Sequence, residues 1–208
     1  MMTIGPSPEP PVSAIDTAPV TLAGRFIRLE PLRADHAAPL WDAVEDPDIF
    51  RWFPTRPRGL DDMRAWVDAA LADHAAGLAL PFAVVDSASG ALAGSTRFGN
   101  IDRHNRRAEI GWTWYGPRFQ RTCVNTEAKL LLLTHAFETW GCVRVELKTD
   151  ALNTPSRAAI ARIGATEEGT LRRHIRRGDG SFRDTVYFSI LDSEWPDRKA
   201  ALLARLDR

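Results

Sequence analysis

The fold is decided by residues 109–137, which read EIGWTWYGPRFQRTCVNTEAKLLLLTHAF. Residues 109–114 predict a strand, residues 117–125 a turn, and residues 126–137 a helix that ends before Gly141. The helix carries apolar side chains on nearly every side, so we expect it to be buried against a sheet. The stretch therefore predicts a protein in which helices pack on a sheet.

The N-terminus of this helix is a candidate site for an anion. Its first N–H groups have no partner within the helix, and the helix dipole places partial positive charge there. Such a terminus binds phosphate oxygens, and Arg118 and Arg121 can add charge-assisted hydrogen bonds. The other interpretation is an ordinary strand-to-helix turn with exposed arginines, and this stretch alone does not choose between them.

The next segments add a second strand and a second helix. Residues 143–149 alternate with period two, which is typical of a strand covered on one face. Asn153 stands where a helix N-cap is expected, before Pro155 and Ser156. A polar Asn and a polar Ser are therefore placed at the mouth of a second helix, beside the candidate anion site.

Short motifs follow one another in a fixed order along the chain. They are Glu109-Ile-Gly111, Pro117-x-Phe-Gln120, Thr126-Glu-Ala128, His135-Ala-Phe-Glu138, Asn153-x-x-Ser156, Ile163-Gly-Ala165 and Asp184-Thr-Val-Tyr-Phe-Ser-Ile-Leu191. In this order and spacing they resemble the GCN5-related N-acetyltransferase (GNAT) superfamily, specifically its ribosomal-protein N-terminal acetyltransferase (RimJ/RimL-like) branch. Residues 25–32 resemble the first strand of that branch, so the resemblance covers nearly the whole chain after residue 22.

The resemblance implies an α/β (α+β) GNAT fold. Its mixed, mostly antiparallel sheet has six to seven strands, is flanked by about four helices, and is splayed between strands 4 and 5, here residues 107–114 and 143–149. Residues 1–20 are rich in Pro, Ser and Ala, and we expect them to form a flexible arm or a segment that wraps an edge. Residues 21–208 then form a single acetyltransferase domain.

The same resemblance implies transfer of an acetyl group from acetyl-CoA, the cosubstrate, to a primary amine by direct attack in a ternary complex. The acceptor is either a protein N-terminal amine or a small-molecule amine. The cofactor-binding residues implied are Trp112, Thr113, Trp114, Tyr115, Gln120, Arg121, Thr122, Cys123, Val124, Asn125, Thr126, Asn153, Ser156 and Arg157.

Two residues are candidates for proton transfer. Ser156 matches the Ser that would protonate the leaving thiol; the alternative is a first-turn residue that hydrogen-bonds the backbone. Glu109 is the candidate base, acting directly or through a water, unless it pairs with a nearby Arg. Asp150 is a weaker candidate for the same role.

Three aromatic residues are candidates for acceptor binding. Phe50, Trp52 and Phe53 lie in a Pro-bounded segment that in this family helps to wall the acceptor pocket. The alternative is that these rings pin the loop to the core.

The chain departs from the family's pattern in two places. The pyrophosphate loop usually has glycines where this chain has Cys123 and Asn125, and glycine permits unusual backbone angles and close approach of a ligand. A non-catalytic CoA-binding or protein-interaction module with a degenerate loop is therefore the alternative function. In addition, the strand end at residues 112–116 is one residue longer than usual. A separate hypothesis concerns the Cys123 thiol. The helix N-terminus and Arg121 could lower its pKa and so make it reactive.

Composition narrows the function classes further. The 27 basic residues balance 27 acidic ones, which argues against a nucleic-acid binder driven by bulk charge. A local basic patch at residues 172–183 is either a solvated hairpin rim or a site for an acidic group.

Two cysteines, no secretory leader and no bilayer-long apolar run favour a cytoplasmic protein without membrane contact. The five histidines lack metal-ligand spacing, so we expect no metal. Exposed strand edges make a homodimer an open option.

Overall fold

The computed structural model describes residues 15–177 and 180–207. The strands are β1 (Leu22–Ala23), β2 (Ile27–Pro31), β3 (Leu80–Asp86), β4 (Leu92–Asp102), β5 (Arg107–Tyr115), β6 (Arg144–Asp150), β7 (Thr166–Arg176) and β8 (Phe182–Leu191). The α-helices are α1 (Ala37–Val44), α2 (Leu60–Ala75), α3 (Val124–Thr134), α4 (Thr154–Arg162) and α5 (Trp195–Leu206). Within the described part of the chain, no helix is both long and apolar enough to cross a bilayer.

One mixed sheet carries the domain. Its strand order is β1-β2-β3-β4-β5-β6-β8-β7, and every neighbouring pair is antiparallel except β5 and β6. The predicted mixed, mostly antiparallel GNAT sheet is thus confirmed. The strand and helix numbers were too low, since the described residues contain eight strands and five α-helices. The additions are the two-residue β1, too short for a periodic signal, and α5, which follows the last matching motif.

Helices cover both faces of the sheet. Phe82 and Val84 of β3 belong to one buried cluster together with residues of α3, α4 and α5. Ala83, between them, belongs to a second cluster with residues of α1 and α2. Since successive strand residues point to opposite faces, α3, α4 and α5 pack on one face and α1 and α2 on the other.

A β-bulge interrupts the pairing of β4 with β5. Ser95 pairs with Trp114 and Arg97 with Gly111, so two residues of β5 oppose one residue of β4. Trp112, inside the bulge, has a φ of 51°, an angle that is rare for a bulky residue. The bulge lies at the strand end for which the sequence predicted one residue more than the family's usual pattern.

The side chain of Trp112 is held in place after the bulge. The Arg97 guanidinium lies 4.0 Å from the Trp112 ring centroid, in cation–π geometry. The ring also packs on Gly99, where a Cβ atom would lie only 2.4 Å from Trp112 Cζ3. The contacts with Gly99 and Arg97 therefore support Trp112 in its strained backbone conformation.

The strands β5 and β6 pair over a short distance only. Their register includes Arg107 with Arg144, Ala108 with Val145, and Glu109 with Glu146. Both strands continue beyond these pairs, β5 to Tyr115 and β6 to Asp150, without pairing to each other. The predicted splay between the fourth and fifth predicted strands, which are β5 and β6, is confirmed.

A buried carboxylate ties α3 to the first hairpin. Glu127 accepts hydrogen bonds from the backbone N–H groups of Arg25 (2.8 Å), Phe26 (2.7 Å) and Ile27 (2.7 Å). A Cβ atom at Gly24 would lie 2.4 Å from Glu127 Cδ, so only glycine fits there. These contacts fix the position of α3 relative to the edge of the sheet.

The segment before β1 lies against the domain as far back as residue 15. Ile15 is buried in the core, and its carbonyl oxygen accepts a hydrogen bond from Arg103 Nε at 3.1 Å. The carbonyl oxygen of Thr17 lies 2.8 Å from His74 Nε2. For residues 15–20 these contacts favour the edge-wrapping interpretation; residues 1–14 of the predicted arm lie outside the described residues.

We expect Glu127→Gln to lower the free energy of unfolding by about 2–4 kcal/mol, because an amide cannot accept all three hydrogen bonds and loses the charge that strengthens them. Chemical denaturation monitored by circular dichroism measures this. Glu45→Gln is the control, since Glu45 is an exposed partner of Arg118 and its loss should change stability by less than about 0.5 kcal/mol. Equal effects of the two substitutions would contradict the proposed tie.

Candidate active site

The N-terminus of α3 presents free backbone donors. The helix begins at Val124, two residues before the predicted start, because Cys123 already has helical angles (φ −68°, ψ −17°). The Thr122 hydroxyl accepts a hydrogen bond from the Val124 N–H at 3.3 Å. The N–H groups of Asn125 and Thr126 have no backbone acceptor among the described residues. Two amides at the positive end of the dipole are therefore available to an anion.

The missing glycines create no backbone strain in this turn. Cys123 and Asn125, which stand where glycines are usual, both have helical backbone. The left-handed residue is Arg121, with a φ of 61°. Glycine is favoured in this loop because it permits unusual backbone angles and close approach of a ligand. The first reason does not apply at positions 123 and 125 of this chain, so only the second can matter there.

The basic and polar side chains of the turn differ in whether they already have a hydrogen-bond or ion-pair partner. The Gln120 amide donates to the Tyr115 carbonyl oxygen at 2.9 Å, and Arg118 Nε donates to Glu45 at 2.8 Å. Arg121 is exposed and has no hydrogen-bond or ion-pair partner in the described part of the chain. Of the two arginines predicted to assist the anion site, Arg121 is the one that is unengaged.

The N-terminus of α4 has the predicted cap. Asn153 Oδ1 accepts a hydrogen bond from the Ser156 N–H at 3.2 Å, which confirms Asn153 as the N-cap. The Ser156 hydroxyl is partly exposed and has no partner among the residues described, so the alternative of a backbone-bonded hydroxyl is not what the structure contains. Arg157 is engaged elsewhere, donating to Glu167 at 3.1 Å and to the Ala151 carbonyl at 3.4 Å.

Polar side-chain atoms without partners occur on the two residues that follow the bulge. Trp114 Nε1 and Tyr115 Oη are buried and have no hydrogen-bond partner in the described structure. Burial raises the pKa of Tyr115, so its hydroxyl stays protonated as a donor. On the same strand, Thr113 Oγ1 accepts a hydrogen bond from Lys129 Nζ at 2.9 Å. This end of β5 therefore holds more donors than the folded chain satisfies.

Glu109 lies at the last rung that β5 and β6 share. It is 7% exposed, and its Oε2 accepts from Lys148 Nζ at 2.8 Å and from Asn100 Nδ2 at 2.5 Å. Burial lowers the pKa of Lys148, but the combined effects of Glu109, Tyr187 and Glu146 more than offset this, and the net pKa is raised. The expected alternative partner, an arginine, is replaced by a lysine from the neighbouring strand.

Asp150, the weaker candidate base, is fully engaged. Its side chain is buried, forms an ion pair with Arg177, and accepts a hydrogen bond from the Leu152 N–H at 3.0 Å. The basic patch at residues 172–183 lies on the β7–β8 hairpin, apart from residues 178–179, which fall outside the described residues. Arg177 of that patch thus serves to neutralise Asp150.

The aromatic segment is divided between core and surface. Phe50 is 0% exposed and packs edge-on against Phe53 (5.5 Å between centroids) and Trp114 (5.2 Å). The prediction that Phe50 contacts the acceptor is therefore wrong, because the ring pins the loop to the core. Trp52 and Phe53 are only partly buried and remain available to a ligand.

A polar pocket of about 710 Å³ opens on the sheet face opposite α3. Its lining includes Asn100 and Lys148, the two residues that bind Glu109, as well as Glu146, His174 and Tyr187. Sequence reasoning missed both partners of Glu109. Lys148 had a visible signal, since it occupies a polar position of the alternating strand. Asn100, which lies within β4, had none.

Comparison with known proteins identifies the family. Residues 27–166 match the family described as the acetyltransferase (GNAT) domain. The chain belongs to the GNAT acetyltransferase family. Over 110 residues it is 38% identical to the Bacillus subtilis protein named "Putative ribosomal N-acetyltransferase YdaF", a match that covers 53% of this chain and 59% of that protein.

Solved structures agree with this GNAT assignment. A GCN5-related N-acetyltransferase from Brucella melitensis has a TM-score of 0.82 and 36% identity, covering 95% of this chain and 86% of that one. Mycobacterium smegmatis RimJ, solved in complex with CoA-disulfide, has a TM-score of 0.77 and 26% identity, covering 91% and 96%. These relatives place the chain in the RimJ/RimL-like branch.

Cys123 of this GNAT domain is not an activated thiol. Burial raises its pKa, Glu127 and Asp86 raise it further, and the opposing effects of its own backbone hydrogen bond and of Arg25 are smaller. The reading in which the helix N-terminus and Arg121 lower this pKa is therefore wrong. Desolvation outweighs the dipole at this position.

Native protein at pH 7 should accordingly react with iodoacetamide more slowly than a free cysteine does, because only the thiolate attacks. Mass spectrometry of timed samples measures the alkylation of Cys123. Denatured protein is the control, in which Cys123 and the buried Cys142 should react at the same rate. Faster modification of native Cys123 than of free cysteine would contradict the raised pKa.

Proposed function

We propose that this GNAT domain is an N-acetyltransferase that moves an acetyl group from acetyl-CoA to a primary amine. The observation that carries the proposal is the gap between β5 and β6, which pair only as far as Glu109 and Glu146, beside the free amides of α3. A gap in a sheet leaves strand N–H and C=O groups unpaired, and these require a partner. The pantetheine arm of CoA carries amides that can supply it.

The phosphate end of acetyl-CoA fits the turn before α3. The amides of Asn125 and Thr126 and the side chain of Arg121 supply donors and positive charge. Thr122 and Cys123 would approach the phosphates through the backbone, and Val124 would do so only by releasing its N–H from the Thr122 hydroxyl. Gln120 shapes the turn by donating a hydrogen bond to the Tyr115 carbonyl oxygen. In support, the related RimJ structure is a complex with CoA-disulfide.

The arm of acetyl-CoA would then lie along β5 and reach α4. Backbone groups of residues 112–115 line the unpaired edge of the strand, and Asn153 stands at the start of α4. The free hydroxyl of Ser156 is the proton donor for the departing thiol, since it has no competing partner. Arg157 reaches a phosphate only by leaving Glu167.

Glu109 is proposed to accept the proton of the amine, directly or through a water. The carboxylate is buried at the point where the gap opens, and its existing partner Lys148 is itself a primary ammonium. The site therefore already accommodates the ammonium group that the acceptor would bring. Lys148 and Asn100 hold the carboxylate in position for this exchange.

The acceptor would enter from the polar pocket on the sheet face opposite α3. That pocket is lined mainly by polar and charged residues, which suits an amine within a polar chain. The relative YdaF is named for a ribosomal substrate, and by analogy we propose a protein N-terminal amine, with a small-molecule amine as the second option. Trp52 and Phe53 do not line that pocket, and as partly buried rings they are the aromatic residues that remain available to an acceptor.

Purified protein should release free CoA thiol when it is given acetyl-CoA and a panel of peptide and small-molecule amines. Ser156→Ala and Glu109→Gln should each lower kcat by about tenfold to a hundredfold, because each removes a proton-transfer group. A thiol-reactive dye measures the release, and Ser193→Ala, at an exposed turn serine, is the matched control.

Two results would count against this proposal. Unchanged kcat in both Ser156→Ala and Glu109→Gln would remove these residues from the chemistry. Calorimetric binding of acetyl-CoA without turnover on any amine of the panel would favour a non-catalytic CoA-binding module.

Arg121→Ala should weaken acetyl-CoA binding about fivefold to tenfold, because it removes a charged donor from the phosphate site. Acetyl-pantetheine lacks the pyrophosphate, so its binding should not change. Calorimetry with both ligands checks this, and Arg118→Ala is the matched control because Arg118 is already paired with Glu45. A similar loss for both ligands would show that Arg121 does not contact the pyrophosphate.

A further inference from the structure

Lys129 is a charged residue inside an otherwise apolar helix. It lies in the middle of α3, is 5% exposed, and is followed directly by four leucines. Burial lowers the pKa of Lys129 to about 7, and no charged neighbour contributes to the shift. Among the described residues, no carboxylate forms an ion pair with it.

The amine of Lys129 is only partly satisfied. Its Nζ donates one hydrogen bond, at 2.9 Å, to Thr113 Oγ1. The Thr113 hydroxyl lies 2.7 Å from Thr96 Oγ1 and 3.3 Å from the carbonyl oxygen of Gly111. A lysine amine has at least two N–H groups, or three when charged, so at least one donor has no partner in the described structure.

The contact with Thr113 places Lys129 at the gap. Thr113 is one of the two β5 residues in the bulge, next to Trp112, and it lies beyond the last β5–β6 pair at Glu109. The side chain of Lys129 thus crosses from α3 to the stretch of β5 that has no partner strand on its β6 side.

Stability alone does not explain a lysine at this position. Burying an amine without a counter-charge destabilises the folded state, and an apolar side chain of similar length would avoid that penalty. Residues that weaken a fold are commonly retained where a site uses them. The unsatisfied donor, rather than the packing of α3, is therefore the feature that requires an explanation.

We propose that Lys129 is a ligand-binding and positioning residue of the gap, which holds the bulge through Thr113 and donates its free N–H to a carbonyl oxygen in the acylated pantetheine arm of acetyl-CoA. This inference rests on the proposed function, because it assigns a further residue to the same site. The carbonyl belongs either to the thioester or to a pantetheine amide. A donor at the thioester would also stabilise the negative charge that develops on that oxygen during transfer.

Lys129→Met tests the proposal because methionine matches the length of the chain and removes only the amine. We expect the variant to unfold at a higher temperature than the wild type while its affinity for acetyl-CoA falls about fivefold to twentyfold. Thr113→Val should also weaken binding, because it removes the group that orients the amine, whereas Thr113→Ser should retain it. Lys199→Met, at a partly exposed lysine of α5, is the matched control.

Calorimetry with two ligands assigns the carbonyl. A larger loss of affinity for acetyl-CoA than for CoA in Lys129→Met places the contact at the thioester, and an equal loss places it at a pantetheine amide. The chain has only three lysines, Lys129, Lys148 and Lys199, so the side-chain NMR signal of Lys129 can be assigned by its absence from Lys129→Met. That signal should shift when acetyl-CoA is added to the wild type.

The failure of this inference differs from failure of the proposed function. Wild-type protein that does not bind acetyl-CoA would reject both. Wild-type and Lys129→Met proteins that bind acetyl-CoA equally well would overturn the role of Lys129 and leave the acetyltransferase proposal standing. If Lys129→Met does not fold, unchanged binding by Thr113→Val overturns the inference in the same way.

Discussion

The site depends on a single break in backbone pairing, the divergence of β5 from β6 after Glu109 and Glu146. The bulge at Trp112 adds a residue to β5 just beyond that point and turns the strand. The left-handed angle of Trp112 is unfavourable by about 1–3 kcal/mol, and contacts with Arg97 and Gly99 compensate for it. A strained, well-supported tryptophan thus keeps a strand edge open in the interior of the sheet.

The buried charged side chains on the two sides of this gap differ in whether they have an oppositely charged partner. On the sheet face opposite α3, the buried carboxylates of Glu109 and Asp150 are neutralised by Lys148 and Arg177, respectively. On the side covered by α3, Lys129 has no counter-charge and only one hydrogen bond. In the proposed reaction, the amine acceptor would enter a region of balanced charge, while the acyl group would meet unsatisfied donors. This asymmetry matches the chemistry of transfer, in which negative charge develops on the acyl oxygen.

The sequence predicted the elements that carry periodic or capping signals and failed where the outcome depends on distant contacts. Asn153 was identified as an N-cap because capping is local, and the splay of the sheet followed from the family resemblance. The burial of Phe50, the raised pKa of Cys123 and the lysine partner of Glu109 depend on residues far away in the chain. Lys129 was read as part of an apolar helix, although a lysine among leucines is itself a signal.

The tie between Glu127 and the first hairpin has a consequence for sequence variation. The carboxylate contacts only main-chain N–H groups of residues 25–27, so it places no demand on their side chains. Position 24 is constrained, because any side chain there would occupy the space of the Glu127 carboxylate. The tie to Glu127 therefore does not select the side chains of residues 25–27, and Ile27 is constrained instead by its burial in the core. A side chain larger than hydrogen at position 24 should appear only in homologues that also lack the carboxylate at position 127.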